Sequence, residues 1–293
     1  MSRDPPRDNR AGGAWLIADL SLNIWALAIV KAIGGDYPAT QIVFLRAATG
    51  LLLIAPLIWR ERAAFRSVPD LGLHALRVVL SLITLTASFY ALPRVPLALF
   101  TAIGFTRPIV TMVLASGLLR EPIGVRRWCA AAVAMAGVLI ATSPGSVAWT
   151  MGLAAVGVVV LTGSGAVIVT RRLRAAPEVV MMAFYTVGLG LASAPFAAAS
   201  WVPLDEAHVL PLLLVGALSQ SAQLCFLRAH YHGEAGFLSV LSYLSLVLSV
   251  GVGWAVFGET PTVAFWLGAA LVVGGALWVG STDRRPRPMQ RGP

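Results

Sequence analysis

Ten mainly apolar stretches, each about 20 residues long, run through the 293-residue chain and constrain its fold more than any other feature. A helix of that length spans the hydrocarbon core of a bilayer and satisfies its own backbone hydrogen bonds, for which lipid offers no partners. Charged residues make up only 12% of the chain and hydrophobic residues 58%, whereas soluble domains carry about 25% charged residues. We therefore predict an all-α integral membrane protein with ten transmembrane helices, near residues 14–33, 39–59, 71–92, 96–119, 123–143, 150–170, 178–200, 209–230, 235–257 and 262–281.

The basic residues are distributed unevenly between alternate connecting segments. With the N-terminus in the cytoplasm, 17 of the 22 Lys and Arg residues fall in the inner segments, and only Lys31 and Arg94 fall in the outer ones. Because positive charge collects on the cytoplasmic side of membrane proteins, both termini are predicted to be cytoplasmic. The net charge of +9 then orients the chain in the membrane, and no nucleic-acid partner is expected, since that would need a clustered phosphate-binding face.

An internal repeat relates the two halves of the chain. Between residues 121 and 140, seven of 20 positions recur 138 residues later, including the pairs Glu121 with Glu259 and Trp128 with Trp266. Two proline pairs recur at a spacing of 139, namely Pro38 with Pro177 and Pro56 with Pro195. A duplicated odd number of helices must cross the membrane in opposite directions. We predict two inverted-topology five-helix repeats, 14–143 and 144–281, flanked by a cytoplasmic tail (1–13) and a basic cytoplasmic tail (282–293).

Each predicted repeat carries a glutamate just after its fourth span, in LLREP at 118–122 and in FGETP at 257–261, and then a glycine-bearing fifth span. Over nearly the whole chain this pattern resembles the EamA-type repeat of the drug/metabolite transporter (DMT) superfamily. Ten-helix chains of this length are similar to bacterial exporters of amino acids and other small metabolites, including the YddG type. The resemblance implies a carrier of the bacterial-type inner membrane that works by alternating access at a central cavity between the repeats. The second half departs from the pattern, because Thr260 separates Glu259 from Pro261.

Polar side chains recur at helical spacing on several spans, where facing lipid would be costly. The longest row lies on the third span, which carries His74, Arg77, Ser81, Thr84 and Ser88 at intervals of three and four. These rows are expected to face one central cavity. The predicted substrate-binding residues are Asn23, Ser81, Thr84, Ser88, Arg107, Tyr185, Gln220, Gln223, Ser242 and Ser245. Close helix packing is the alternative for each Ser and Thr, and an interfacial anchor is the alternative for Tyr185.

Arg107 falls near the middle of the fourth span, where a guanidinium costs about 2.5–3.5 kcal/mol to insert. Either a substrate carboxylate in a water-filled cavity or an internal partner such as Asp19 would compensate this cost. The third alternative is that the helix boundary lies elsewhere than predicted. Arg46 and Arg77 lie nearer to helix ends, so their side chains are expected to extend to the membrane interface.

Enzyme chemistry finds no support in the sequence. The chain has no Walker lysine motif, no HExxH motif and no GxSxG motif, so we predict no catalytic residues, no metal site and no cofactor. The expected partners are a small-molecule substrate and membrane lipid; the oligomeric state stays open, and a monomer is compatible with the sequence. The polar rows and Arg107 favour export of amino acids with broad specificity, aromatic ones included. Uniport is favoured because Asp19 is the only acidic residue clearly inside a predicted span, and proton-coupled carriers usually hold titratable groups there. Proton-coupled export of drugs or other metabolites is one alternative, and a channel is another.

Overall fold

A computed structural model describes residues 8–66, 68, 70–107, 110–111, 113–114, 125–142, 150–173, 176–232, 238, 241–242 and 244–282. All regular structure within these ranges is helical. The α-helices are α1 (Asn9–Ile33), α2 (Ala39–Arg60), α3 (Leu71–Ala91), α4 (Leu97–Gly104), α5 (Val125–Thr142), α6 (Met151–Arg172), α7 (Glu178–Ala199), α8 (Glu206–His232), α9 (Leu244–Phe257) and α10 (Val263–Thr282), and short 3-10 segments cover Arg62–Arg66 and Leu92–Arg94. The LLREP motif with Glu121 and most of both predicted tails lie outside the described residues.

Six of the described helices, α1, α2, α3, α6, α7 and α8, are long and apolar enough to cross a membrane, and α9 and α10 contain shorter apolar stretches. Large apolar side chains cover the outside of the bundle, among them Leu52, Trp59 and Leu191, each more than 70% exposed. A water-soluble protein rarely exposes so much apolar surface. The prediction of an all-helical, multi-pass membrane protein is therefore confirmed, while the count of ten crossings and the cytoplasmic placement of the termini stay predictions.

The repeated prolines occupy equivalent places in α2 and α7. Pro38 and Pro177 come directly before these helices, where the fixed backbone of proline and its missing N–H suit a helix start. Pro56 and Pro195 are each the eighteenth residue of a 22-residue helix. The spacing of 139 residues seen in the sequence thus corresponds to a structural match between the second helix of each half.

Helices of one half pack mainly against helices of the other half. The pairs include α1 with α8 and α9, α3 with α6, α2 with α7 and α8, α3 with α7, α4 with α6 and α9, and α5 with α10. Exchanging the first five helices for the last five, α1 for α6 through to α5 for α10, leaves this set of pairs unchanged. The described helices therefore have a pseudo-two-fold arrangement, and the interior of the bundle lies between the halves.

The fourth predicted span differs from the continuous helix expected over 96–119. Its helix α4 ends at Gly104, Phe105 and Thr106 form a turn, and helical backbone resumes at Arg107. In the other half, Ser242 lies in a turn shortly before α9. It follows Gly104 by 138 residues, which is the spacing of the internal repeat between residues 121 and 140. Non-helical backbone at membrane depth is tolerated where it borders a cavity rather than lipid. The breaks therefore indicate where the two halves face such a space.

An ion pair joins three segments at one end of the bundle. Lys31 Nζ at the end of α1 lies 3.0 Å from Glu259 Oε1 in the α9–α10 connection, and it also donates to two backbone carbonyls of the segment 92–95. Glu259 Oε2 accepts the first N–H of α4, from Leu97, at 2.9 Å. Gly258 ends α9 in the left-handed region (φ 65°), a conformation that glycine adopts without strain. This turn brings Glu259 back over the bundle.

Candidate functional site

A cavity of about 590 Å³ lies between the halves and is lined by residues of α1 to α4 and α6 to α9. Its volume is within the usual range for small-molecule sites, about 300–1,000 Å³. Eight of the ten predicted substrate-binding residues line it: Asn23, Ser81, Thr84, Ser88, Arg107, Tyr185, Gln223 and Ser245. Side chains that are far apart in the sequence are thus brought to one space by the pairing of helices across the halves.

Gln220 and Ser242 are not among the lining residues of this cavity. Gln220 borders a separate void of about 10 Å³ between α2, α7 and α8, which is about large enough for one water molecule. The backbone carbonyl of Ser242 accepts a hydrogen bond from the Ser245 hydroxyl at 2.7 Å. A substrate role for these two residues stays a prediction.

Several hydroxyl groups of the cavity wall are already bonded within the protein. Thr84 Oγ1 lies 2.7 Å from both the Leu80 carbonyl and Thr162 Oγ1 on α6, and Ser88 donates to the Thr84 carbonyl at 2.7 Å. These bonds consume hydroxyl hydrogens and join α3 to α6, which favours the packing alternative for Thr84 and Ser88. Asn23 and Ser81 make no side-chain hydrogen bond with the described residues, so their polar groups remain available to a bound solute.

Arg107 follows the break after α4 and extends its guanidinium across the cavity to α6. Its Nη2 atom lies 3.4 Å from the Val159 carbonyl, while its buried Nε has no hydrogen-bond partner among the described residues. Arg107 forms no ion pair with Asp19, although both residues line the cavity. The ion pair with Asp19 that was considered for Arg107 is thus absent, and among the described residues no carboxylate is paired with this guanidinium.

Gly163 on α6 makes room for this guanidinium. A Cβ atom at residue 163 would overlap Nη2 of Arg107 and lie 2.8 Å from its Cζ. Ser164 fixes the other side of the residue by donating to the Arg107 backbone carbonyl at 3.2 Å. No sequence motif indicates this contact, because 56 residues separate Arg107 from Gly163 and glycine is common throughout the chain.

The structure differs from the expectation that Arg46 and Arg77 extend to the membrane interface. Both line the cavity, and their guanidinium carbons lie 5.9 Å and 5.3 Å from the ring centroid of Tyr185. Arg46 Nη1 donates to the Tyr185 hydroxyl at 3.3 Å, and Arg77 Nη1 donates to the Met181 carbonyl at 3.0 Å. The expectation was wrong because it considered only how far each residue lies from the end of its helix. In the structure, the neighbouring helix α7 provides an aromatic ring and a backbone carbonyl as partners for the two guanidinium groups.

The first residue of the polar row on α3, His74, differs from the others in its surroundings. His74 is 1% exposed and lies against Phe184, with ring centroids 4.6 Å apart, and it does not line the cavity, whereas the rest of the row does. Within the part of the chain that the structure describes, no group of three or more His, Cys, Asp or Glu side chains is arranged to hold a metal ion. The candidate site is the cavity itself, which is lined by apolar, polar and arginine side chains.

Apolar helices that surround a polar, solute-sized cavity define a membrane transporter. The chain belongs to the EamA-like transporter family, whose profile matches residues 14–143 and 149–281. This confirms the resemblance to the EamA-type repeats of the drug/metabolite transporter superfamily.

Curated relatives are transporters with different cargoes. The chain is 28% identical over 254 residues to a riboflavin transporter of Brucella anthropi, covering 84% of this chain and 89% of the relative. It is 27% identical to a pseudopaline exporter of Pseudomonas aeruginosa, over 88% of this chain and 91% of the relative. It is 21% identical to an S-adenosylmethionine uptake transporter of Rickettsia prowazekii, over 94% of each chain. A solved crystal structure matches 95% of this chain and 99% of its own chain, with a TM-score of 0.67 and 18% sequence identity. This similarity supports the fold alone.

Proposed function

We propose that the protein carries small carboxylate-bearing metabolites, amino acids among them, across the bacterial inner membrane by alternating access at the central cavity. The observation that supports this proposal most directly is Arg107, a guanidinium that lines the cavity without a carboxylate partner among the described residues. A substrate carboxylate would accept two parallel hydrogen bonds from its planar fork. Export by uniport is the proposed mode, with proton coupling and a channel as its alternatives.

The proposed membrane orientation follows from charge and packing. The excess of Lys and Arg in the inner segments favours cytoplasmic termini, and the exchange-symmetric helix pairs are those expected of two inverted five-helix repeats. Alternating access then corresponds to movement of one repeat relative to the other around a shared cavity.

Riboflavin is a second candidate cargo, because it is named for the relative from Brucella anthropi at 28% identity. The aromatic side chains of Phe89, Phe100 and Tyr185 line the cavity and would stack on a planar ring system. Since the relatives' names include both an exporter and an uptake transporter, those names do not fix the direction of transport in this chain.

Counterflow in liposomes that contain the purified protein tests the proposal. Tryptophan and tryptamine form a matched pair that differs by the carboxylate, and riboflavin is the third solute. We expect saturable counterflow of tryptophan at least tenfold faster than that of tryptamine, since a lost charge-assisted contact costs about 1.5–3 kcal/mol. Equal rates for the matched pair would overturn the carboxylate proposal, flux of riboflavin alone would establish the second candidate, and unsaturated linear flux would indicate a channel.

Gly163→Ala tests whether the position of Arg107 matters as well as its charge. The added methyl group must displace the guanidinium head, and we expect the transport KM for a carboxylate substrate to rise roughly tenfold, the equivalent of about 1.4 kcal/mol of binding. The fold should persist, because the displaced atoms are at the end of a flexible side chain. Gly157→Ala is the matched control on the same helix, where the new Cβ would meet no described atom within 4 Å. A KM that is the same in both variants would contradict the proposed role of Gly163.

A further inference from the structure

Two cationic side chains of the cavity are not needed to bind a single carboxylate at Arg107. Arg46 comes from α2 and Arg77 from α3, and both meet Tyr185 on α7. The phenol ring of α7 thus meets one arginine from each of two helices of the first half. Two guanidinium groups are gathered around one tyrosine, and Arg107 lines the same cavity.

The charges that line this cavity are unbalanced. Among the described residues, three arginines (Arg46, Arg77 and Arg107) line it together with one acidic residue, Asp19, and no ion pair joins any of these four side chains. Like charges that share one partly enclosed space repel each other. A bound solute with more than one acidic group would relieve that repulsion.

The donors of Arg46 and Arg77 are mostly unused by the protein. Each guanidinium carries five N–H donors, and each makes one hydrogen bond with the described residues, to the Tyr185 hydroxyl and to the Met181 carbonyl. These bonds and the ring of Tyr185 hold the two groups in place while the remaining donors stay available. A planar guanidinium group that is held in place is suited to bind carboxylate and phosphate oxygens.

We propose that Arg46, Tyr185 and Arg77 form a second anion subsite, which binds a second acidic group of a substrate whose first carboxylate is held by Arg107. The preferred cargo is then a small metabolite with two acidic groups, either two carboxylates or a carboxylate and a phosphate. This inference rests on the proposed function and narrows its substrate class. It also excludes hydrophobic cations as cargo, since they would add charge of the same sign to the cavity.

Competition in the counterflow assay tests the second subsite with matched solutes. Glutamate and glutamine differ by one acidic group at nearly constant size, and O-phosphoserine and serine make the same comparison for phosphate. We expect the inhibition constant of glutamate to be at least tenfold lower than that of glutamine. The same ratio is expected for O-phosphoserine relative to serine. In Arg46→Gln and in Arg77→Gln this ratio should fall to near one. Arg62→Gln, which alters an exposed arginine outside the cavity, should keep the wild-type ratio.

Each outcome separates the two proposals. If carboxylate solutes are carried but the wild type does not distinguish glutamate from glutamine or O-phosphoserine from serine, the second subsite is wrong and the proposed function stands. If the ratio survives in both arginine variants, the subsite is likewise wrong. Failure of every carboxylate solute in the wild type would overturn the proposed function itself. Arg46→Lys and Arg77→Lys keep the charge without the planar fork and should retain part of the ratio, which provides the test if a glutamine variant does not fold.

Discussion

Replacing Arg107 with glutamine is expected to lower the transport efficiency for carboxylate-bearing solutes by roughly 30- to 1,000-fold, because charge-assisted hydrogen bonds worth about 2–4 kcal/mol are lost. Glutamine keeps one amide donor but has neither the charge nor the fork of the guanidinium. The measurement is kcat/KM for counterflow of a carboxylate solute in liposomes, with the same amount of folded protein in each sample.

Two further variants make the Arg107 result specific. Arg107→Lys retains a positive charge as a point donor and should recover part of the lost efficiency. Arg62→Gln removes a positive charge from an exposed site over Trp59, and it should transport like the wild type. The role of Arg107 would be refuted by an Arg107→Gln protein that melts like the wild type and transports within about twofold of it, a difference below 0.5 kcal/mol.

Glu259→Ala is expected to destabilise the folded protein by about 2–4 kcal/mol, since one partner of a largely buried ion pair is removed. The side chains of Lys31 and Glu259 are only 11% and 18% exposed. Alanine would leave the Lys31 ammonium with carbonyl partners only, and it would leave the first N–H of α4, from Leu97, without its acceptor. Unfolding in mixed detergent and dodecyl sulfate micelles measures this change in free energy.

A double-mutant cycle separates the ion pair from other effects of Glu259. The variants are Glu259→Ala, Lys31→Met and the double substitution, and we expect a coupling free energy above 1 kcal/mol, as is usual for side chains in direct contact. Glu206→Ala removes an exposed acidic residue from the first turn of α8 and should change the stability by less than about 0.5 kcal/mol. A Glu259→Ala protein no less stable than this control would show that the ion pair contributes nothing to folding.

Sequence patterns were informative where local chemistry decides the structure. Apolar length predicted the six long apolar helices, and the proline pairs predicted the starts of α2 and α7, since a missing N–H and a fixed φ act at the residue itself. The helical spacing on α3 correctly grouped Ser81, Thr84 and Ser88, because residues three and four apart share a face. The division into two inverted five-helix repeats stays a prediction, with which the exchange-symmetric helix pairs are compatible.

Features that depend on contacts between distant segments could not be predicted. Lys31 and Glu259 are 228 residues apart, and no periodicity connects them. Arg46 and Arg77 are near helix ends, so depth alone predicted that they would extend to the interface, yet their guanidinium groups lie near the ring of Tyr185. The turn at Phe105 and Thr106 has local signals in Gly104 and Pro108, but the apolar length of the segment led to the prediction of one continuous helix.

The packing of α1 along α8 has a consequence for biosynthesis. About 170 residues separate the end of α1 from the start of α8, and a ribosome adding about 5–20 residues per second needs roughly 10–30 s to make them. During that interval the face of α1 that packs on α8 in the folded protein has no counterpart, and lipid or the insertion machinery must cover it. Mature bundles therefore assemble late, after most of the polypeptide has been threaded into the bilayer, and a chain truncated before α8 would be a substrate for membrane quality-control proteases.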